Sequence, residues 1–158
     1  MSKKRYYIAY GSNLSIEQMA FRCPTAKVVG TAMIEGYALI FKTHATIEPD
    51  ENRKVPVAIW EIQPEDEKRL DMYEGYPVYY YKADMTLPVK MAETGETRML
   101  TAMVYIMDEK REVNKPFKEY YLVLEEGYTR FGFDQAILQE ALEQSIEKTK
   151  GGRKHGIR

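Results

Sequence analysis

The chain changes abruptly from apolar to polar positions near its N-terminus. Residues 5–10 are rich in aromatic and other strand-favouring types. Residues 11–13 (Gly-Ser-Asn) favour a turn because they tolerate unusual backbone angles and carry hydrogen-bonding side chains. Ser15, followed three positions later by Gln18, fits a reciprocal helix cap. The pattern predicts a strand, a turn and a helix in succession. The backbone amides of residues 11–14 are then either free to bind a ligand oxygen or part of an ordinary turn.

The next stretch alternates between strand-like and loop-like composition. Residues 26–43 predict two β segments around Glu35-Gly36, as in a hairpin. Residues 46–54 contain almost no apolar side chains, which is typical of an exposed loop. A strand is predicted again over residues 55–62, where Pro56 favours a sheet edge or a bulge because it has no amide hydrogen.

A helix is predicted over residues 63–75 by the signals at its two ends. Pro64 suits the first helical position, acidic residues follow in the first turn, and Gly75 suits the stop. Leu70 is the most obvious core-facing residue, and Glu74 lies one turn later on the same face. An inward-pointing Glu74 would have its pKa raised by burial and by the helix dipole, as a general base requires. The alternative is a solvated acid in the last turn.

Two further strands and a helix are predicted in the C-terminal half. The strands cover residues 81–92 and 97–107 and are joined by a turn that contains Gly95. A helix opens near Pro116, and its apolar side chains recur at helical spacing, which predicts a face packed on the sheet. The residues of this face are Phe117, Tyr120, Tyr121, Leu124 and Tyr128.

The length of the chain indicates one domain. At 158 residues, folding buries about two-thirds of the unfolded surface, which is enough for a single core. Asp134 suits the cap of a last helix that runs to about Lys150. We therefore expect a single domain over residues 1–150, followed by a flexible basic tail over residues 151–158.

Composition and charge narrow the classes of function. The one cysteine, Cys23, excludes an intrachain disulfide, and the two histidines, His44 and His155, are too far apart to suggest a zinc site. Lysine and arginine (23) nearly balance aspartate and glutamate (24), which removes the general attraction to nucleic acids. No apolar run indicates secretion or membrane insertion. We expect a cytoplasmic protein with a small-molecule partner, neither nucleic acid nor membrane, and the pattern indicates no particular oligomeric state.

Two motifs resemble those of one known family. The string Tyr-Gly-Ser-Asn-Leu at residues 10–14 resembles the signature of the gamma-glutamylcyclotransferase-like superfamily, which includes the plant AIG2-like proteins. In that family the turn binds the α-amino-acid end of a gamma-glutamyl group. Residues 70–75 are similar to the Leu-Asp-x-x-Glu-Gly segment that carries the family's catalytic glutamate, and Glu74 matches it. Asp71 falls on the companion aspartate position, which we interpret as a pinning hydrogen-bond partner without a catalytic role.

Tyrosines supply the rest of the resemblance. The family has a tyrosine near the substrate where residues 79–81 are three consecutive tyrosines, and strand alternation leaves open which one faces the pocket. The segment around Tyr120, with Gly127 after it, is similar to the family's Pro-Ser-x-x-Tyr and following glycine. Phe117 replaces the serine, and Val57 stands where many members carry glycine. The substrate-binding residues implied by the resemblance are Tyr10, Gly11, Ser12, Asn13, Leu14, Tyr80, Tyr81 and Tyr120.

The resemblance also implies a fold and a reaction. The fold is an α+β domain with a mixed, mostly antiparallel sheet curled into a small barrel with flanking helices. In the reaction, the α-amine of a gamma-glutamyl group attacks its own side-chain amide, releases an amine and forms 5-oxoproline, with Glu74 as general acid and base and no cofactor. The leaving group is open among an amino acid, a dipeptide, a polyamine, a lysine in isopeptide linkage and a carrier-bound acyl chain.

Two other classes of function stay open. The chain is either an enzyme, a non-catalytic binding module for gamma-glutamyl or other amino-acid-like ligands, or a protein whose tyrosine-rich surface binds another protein. Glu74 within its motif favours the enzyme. Tyr120 has its own alternative, a core residue, because it lies on an apolar helical stripe.

Overall fold

A five-stranded barrel with flanking helices forms the part of the chain that the structure describes. The computed structural model describes the backbone of residues 4–156 and the side chains of residues 4–149. The strands are β1 (Arg5–Ala9), β2 (Lys27–Lys42), β3 (His44–Ile62), β4 (Tyr80–Met91) and β5 (Thr97–Met107). The helices are α1 (Ile16–Arg22), α2 (Pro64–Glu74), α3 (Lys118–Phe131) and α4 (Gln135–Gly156), and a short 3₁₀ turn covers Ser12–Leu14.

The sheet closes in the strand order β1, β3, β2, β4, β5. All strand pairs are antiparallel except β1 with β5, which run parallel where Tyr7 lies opposite Met103. Closure of the barrel gives the backbone hydrogen-bonding groups of the edge strands a partner strand, and inward-facing side chains fill the interior. Fully buried members of this core include Ile8, Ile34, Phe41, Ile59 and Val104. The expected mixed, mostly antiparallel barrel with flanking helices is confirmed.

The strands β2 and β3 are longer than their sequence predicts. The chain does not reverse at Gly36, which has φ of 79° and lies in a bulge between Glu35 and Tyr37. It reverses instead at Thr43, which has φ of 72°, and β3 then runs through residues 46–54. The expected hairpin and loop are therefore wrong, because main-chain pairing along the two strands outweighs local composition.

The end signals of the first two helices are confirmed. The Ser15 hydroxyl accepts from the Gln18 amide at 3.2 Å, although the buried Gln18 carboxamide oxygen has no partner among the described residues, so the cap is not reciprocal. In α2, Pro64 occupies the first turn and Gly75 ends the helix with φ of 68°. Leu70 is fully buried. The pairing of β3 with β1 ends at Ala58, and Pro56 lies beyond that end. The missing amide hydrogen of Pro56 therefore removes no hydrogen bond between these two strands.

Helix α3 packs against the 3₁₀ turn as well as against the sheet. Phe117 precedes the helix and is 67% exposed, so its expected place on the apolar face is wrong. Tyr121 packs on Phe41 of β2. Gly127 is buried and lies against Leu14, where a Cβ atom would come within 2.6 Å of the Leu14 Cβ. This close approach fixes α3 on the turn.

The last helix extends beyond its predicted end. It continues through residues 151 and 152 to Gly156, so most of the segment expected to be a flexible tail is helical, while residues 157 and 158 lie outside the described part. In residues 4–156, none of the helices combines the length and apolar character needed to cross a membrane.

We expect Gly127→Ala to destabilise the fold. The added Cβ would overlap Leu14, and such overpacking costs about 1–3 kcal/mol, more than the gain of at most about 1 kcal/mol in helix propensity. Urea unfolding measures the difference. Glu126→Ala, at an exposed position next to it in α3, is the matched control and should leave stability unchanged or higher. A more stable Gly127→Ala would show that α3 can shift without cost.

Candidate active site

One cavity brings most of the candidate residues together. It has a volume of about 580 Å³ and lies between the 3₁₀ turn, the C-terminal end of α2, the start of β4 and the start of α3. Seven of the residues that the sequence indicated line it: Tyr10, Gly11, Ser12, Asn13, Glu74, Tyr80 and Tyr120. The two motifs, some 60 positions apart, therefore face the same space.

Two of the indicated residues lie outside the cavity. The Leu14 side chain is fully buried against Gly127 and supports the turn from behind. Tyr81 points outward, and its hydroxyl donates to Glu109 at 2.7 Å. Strand alternation explains the second case, because the inward side of β4 begins with Tyr80 and so directs its neighbour outward.

The turn itself offers backbone donors. Its tight geometry depends on Gly11, because a Cβ there would lie 3.3 Å from the Tyr120 hydroxyl. The Leu14 amide donates to the Gly11 carbonyl at 3.0 Å, so it is not free, contrary to the expectation for residues 11–14. The amides of Ser12 and Asn13 are the first of the 3₁₀ turn and have no partner within it. These two amides are the donors that a ligand oxygen can use.

Glu74 is the last residue of α2 and is half-buried at the cavity wall. Burial raises the pKa of its carboxyl from 4.5 to about 7, and the nearby Arg22 guanidinium opposes that rise. The negative end of the α2 dipole acts in the same direction as burial. Among the described side chains, no cation forms an ion pair with Glu74. A carboxyl with this pKa can both accept and donate a proton near neutral pH.

A charged network holds α2 against the barrel. Asp71 accepts a hydrogen bond from the Tyr105 hydroxyl at 2.6 Å and pairs with Lys82 at 2.8 Å. Glu67, one turn earlier, pairs with the same lysine and with Arg5. Asp71 thus contacts strands β4 and β5 and lies outside the cavity lining, which agrees with its interpretation as a pinning residue.

Two of the tyrosines that line the cavity form hydrogen bonds with the backbone of the same residue, Ala45. The Tyr80 hydroxyl donates to the Ala45 carbonyl at 2.8 Å, and the Ala45 amide donates to the Tyr120 hydroxyl at 3.0 Å. The Tyr120 oxygen therefore accepts from the backbone while its own hydrogen can point to a ligand. Burial raises the pKa of Tyr10, Tyr80 and Tyr120, so all three stay protonated donors at neutral pH.

The turn between β2 and β3 positions Ala45. Thr43 adopts a positive φ that side chains rarely tolerate, and three hydrogen bonds surround it. Its amide donates to the Asn114 carbonyl at 3.0 Å, the Asn114 carboxamide donates to the Thr43 hydroxyl at 2.9 Å, and the Asn114 amide donates to the Phe41 carbonyl at 3.1 Å. The segment before α3 thereby fixes the strand that Tyr80 and Tyr120 bind.

Arg22 supports the turn and escaped the sequence analysis. Its guanidinium donates to the Asn13 carboxamide oxygen and to the Ser12 hydroxyl, and lies 3.5 Å from the centre of the Tyr73 ring. The Asn13 amide group in turn donates to the Tyr7 hydroxyl at 2.9 Å. The signal was present, because Arg22 lies seven residues after the Ser15 cap and therefore on the same face of α1.

The residues suited to metal binding are dispersed. Within residues 4–149, no group of three or more His, Cys, Asp or Glu side chains is placed to hold a metal ion. Cys23 is buried, and burial raises the pKa of its thiol to about 12, so it stays protonated. The groups that line the cavity are one carboxyl, several hydroxyls, backbone amides, the His44 imidazole, and the cationic side chains of Lys42 and Arg111.

We expect Glu74→Gln to stabilise the folded protein at high pH. The carboxyl ionises at about 4.5 when unfolded and at about 7 when folded, so its favourable contribution is complete below pH 4.5 and lost as the pH rises through 7. The variant should exceed wild type by about 1–3 kcal/mol at about pH 8.5 and match it near pH 4 in urea unfolding. The control Glu126→Gln removes an exposed glutamate of α3 and should differ from wild type equally at both pH values. Equal curves for wild type and Glu74→Gln would indicate a solvated carboxylate.

Comparisons with known proteins identify the family of this chain. A protein-family model described as "Gamma-glutamyl cyclotransferase, AIG2-like" matches residues 7–128. A comparison with curated protein sequences gave no match. A solved structure named "Gamma-glutamyl cyclotransferase" is 22% identical, with 88% of this chain and 86% of that chain covered and a TM-score of 0.72. An uncharacterized protein from Homo sapiens is 23% identical, with coverage of 87% and 86% and a TM-score of 0.71.

A yeast structure, described as a gamma-glutamyl cyclotransferase specific to glutathione, is 15% identical, with coverage of 92% and 96% and a TM-score of 0.64. At these identities, the similarity of the structures shows a shared fold. The family model adds a match in sequence over most of the chain, including both motifs that face the cavity. This protein belongs to the gamma-glutamyl cyclotransferase, AIG2-like family.

Proposed function

We propose that this protein is a cyclotransferase that releases 5-oxoproline from a gamma-glutamyl peptide or gamma-glutamyl amine. One observation carries the proposal: Glu74, a carboxyl with a pKa of about 7, lines the same cavity as the 11–13 turn. The turn offers donors for an anion, and the carboxyl offers a base at the pH where one is needed. Family membership supports the same class of reaction.

The α-amino-acid end of the substrate would bind at the turn. Ser12, Asn13 and Tyr120 line the cavity, and the backbone amides of Ser12 and Asn13 and the hydroxyls of Ser12 and Tyr120 suit an α-carboxylate or a developing oxyanion. Arg22 adds positive charge behind the turn through its bonds to Ser12 and Asn13. Binding in a folded-back conformation supplies proximity between the amine and the amide carbonyl.

The proton transfers follow from the pKa of Glu74. An ammonium group cannot attack, so the Glu74 carboxylate accepts a proton from the α-ammonium, and the freed amine forms a bond to the side-chain amide carbon. The protonated Glu74 then donates to the leaving nitrogen as the original carbon–nitrogen bond breaks. The ring nitrogen loses its second proton to the released amine, which leaves as an ammonium ion. The products are 5-oxoproline and an amine, with no change of oxidation state and no cofactor consumed.

Other features of the chain fit this function. We propose one domain over residues 1–150 and a small-molecule substrate, because near-balanced charge offers nothing to a nucleic acid. We also propose a cytoplasmic protein, because its single thiol, Cys23, suits a reducing compartment.

We expect Glu74→Gln to abolish cyclisation while ligand binding is largely retained. The amide keeps the size and polarity of the carboxyl but cannot accept the proton, so kcat should fall by at least about 100-fold. Ser12→Ala should raise KM and lower kcat together, because it removes one hydrogen bond while the backbone donors remain. Both variants are assayed for 5-oxoproline on a gamma-glutamyl compound that the wild type converts.

Two outcomes of this experiment contradict the proposal in different ways. A Glu74→Gln variant that turns over at the wild-type rate would make Glu74 a surface acid. A wild-type protein that binds gamma-glutamyl compounds by calorimetry but converts none of a broad panel would be a binding module instead.

The pH dependence gives an independent expectation. The value of kcat/KM should fall below about pH 7, where Glu74 becomes protonated. Arg22→Gln removes the positive charge that opposes the raised pKa, so the midpoint of this fall should move to higher pH by about 0.5–1 units. Arg69→Gln, at an exposed position of α2, is the matched control and should leave the midpoint in place. An unchanged midpoint in Arg22→Gln would mean that another group controls the rate.

A further inference from the structure

The cavity has two ends of different character. The end formed by Tyr10, Ser12 and Asn13 is buried, with each residue 8% exposed or less. The part of the lining that we call the open end is exposed to solvent and includes Met72 and Tyr79, which are 83% and 55% exposed. A ligand held by its amino-acid end at the turn would therefore extend its remaining part toward the open end.

Glu74 lies next to the open end through its neighbour Gly75. The Tyr79 ring packs directly over Gly75, where a Cβ would come within 2.7 Å of the ring. The Tyr79 amide also donates to the Gly75 carbonyl at 2.9 Å. A leaving nitrogen that receives its proton from Glu74 would therefore carry its substituents past the face or edge of the Tyr79 ring.

Arg111 completes the open end. Its guanidinium carbon lies 4.5 Å from the centre of the Tyr79 ring, and the side chain lines the cavity. The loop that carries it is braced, because its amide donates to the Asp108 carbonyl at 3.1 Å. The Lys42 ammonium donates to the Glu109 carbonyl at 3.1 Å, and Tyr81 holds the Glu109 carboxylate. Arg111 is thus presented to the cavity by an ordered loop.

The charges at this end favour an anion. Glu74 is the one acidic side chain that lines the cavity within the described residues, and it serves the reacting centre. Lys42 also lines the cavity, but its charge is neutralised by Glu48. Arg111 has no carboxylate within ion-pairing distance among the side chains of residues 4–149. The open end therefore presents an uncompensated guanidinium beside an aromatic ring.

We propose that Arg111 and Tyr79 form a subsite for the leaving group and select an amine that carries a carboxylate and an apolar side chain. This inference rests on the proposed cyclotransferase function. The guanidinium binds the carboxylate with a planar fork of donors, and the ring of Tyr79 packs on the apolar part. A polyamine leaving group would be repelled by the Arg111 guanidinium and would have no acidic side chain to pair with at this end. The preferred substrates are gamma-glutamyl amino acids or short gamma-glutamyl peptides with a free C-terminus.

The test compares three compounds that share the gamma-glutamyl group, two of which differ only in the carboxylate. Gamma-glutamyl-phenylalanine carries the carboxylate, gamma-glutamyl-phenylalaninamide replaces it with a neutral amide, and gamma-glutamyl-putrescine presents a cation. The kcat/KM for 5-oxoproline release should be about two- to fivefold higher for the carboxylate than for the amide, the size expected for a partly exposed ion pair. It should be lowest for the cation.

Two variants separate the subsite from a general effect of charge. Arg111→Gln keeps hydrogen-bonding capacity without the charge and should bring the ratio between the carboxylate and the amide close to one. Lys110→Gln removes an exposed cation from the same loop that does not line the cavity, and should keep the wild-type ratio. Thermal unfolding verifies that both variants are folded.

Each outcome decides the inference separately from the function. If all three compounds are converted equally, or if Arg111→Gln keeps the wild-type ratio, the subsite is refuted while the cyclotransferase function stands. If none is converted, the function fails, and calorimetric binding of the same compounds decides the subsite. The subsite is supported if the wild type binds the carboxylate compound more tightly than the amide and Arg111→Gln removes that preference. It is refuted if the compounds bind equally or not at all.

Discussion

The half-buried carboxyl of Glu74 is the constraint on which the site depends. A carboxylate at the C-terminal end of a helix, without a cation in contact, is unfavourable unless it takes up a proton. Other contacts of α2 offset this unfavourable free energy, namely the ion pairs that Asp71 and Glu67 make with Lys82. The helix is therefore held to the barrel by these ion pairs and by the buried side chain of Leu70, and the Glu74 carboxyl at its end keeps a raised pKa of about 7.

Barrel closure brings the remaining parts of the site to that carboxyl. The turn follows β1, Ala45 opens β3, and Tyr80 opens β4, so three strand ends meet beside one cavity. Tyr80 and Tyr120 both bind the Ala45 backbone, which makes the cavity wall rigid without using charged groups. The Tyr120 hydroxyl, which stays protonated and accepts from the Ala45 amide, can donate to an anionic ligand while Glu74 is the one carboxyl that lines the described cavity.

The two ends of the cavity are built from different kinds of residue. The buried end is made of backbone and short side chains whose positions are set by the 3₁₀ turn and by Gly127 of α3 packing behind it. The open end is made of long side chains, Tyr79 and Arg111, on connecting segments. Loops tolerate substitution better than packed turns do, so we expect substitutions at the open end to disturb the fold less than substitutions at the buried turn.

The sequence by itself determined the local events: the cap at Ser15, the stop at Gly75, and the strand, turn and helix around the first motif. These depend on hydrogen bonds between neighbours along the chain. The lengths of β2 and β3 depend on ladder partners, so local composition misjudged them. Only the tertiary structure decided that Tyr79 and Tyr80 line the cavity while Tyr81 points outward, and only it brought Arg22 and Arg111 to the site. Barrel closure determines which side chains, distant in sequence, line the same cavity wall, and the local sequence pattern does not predict this.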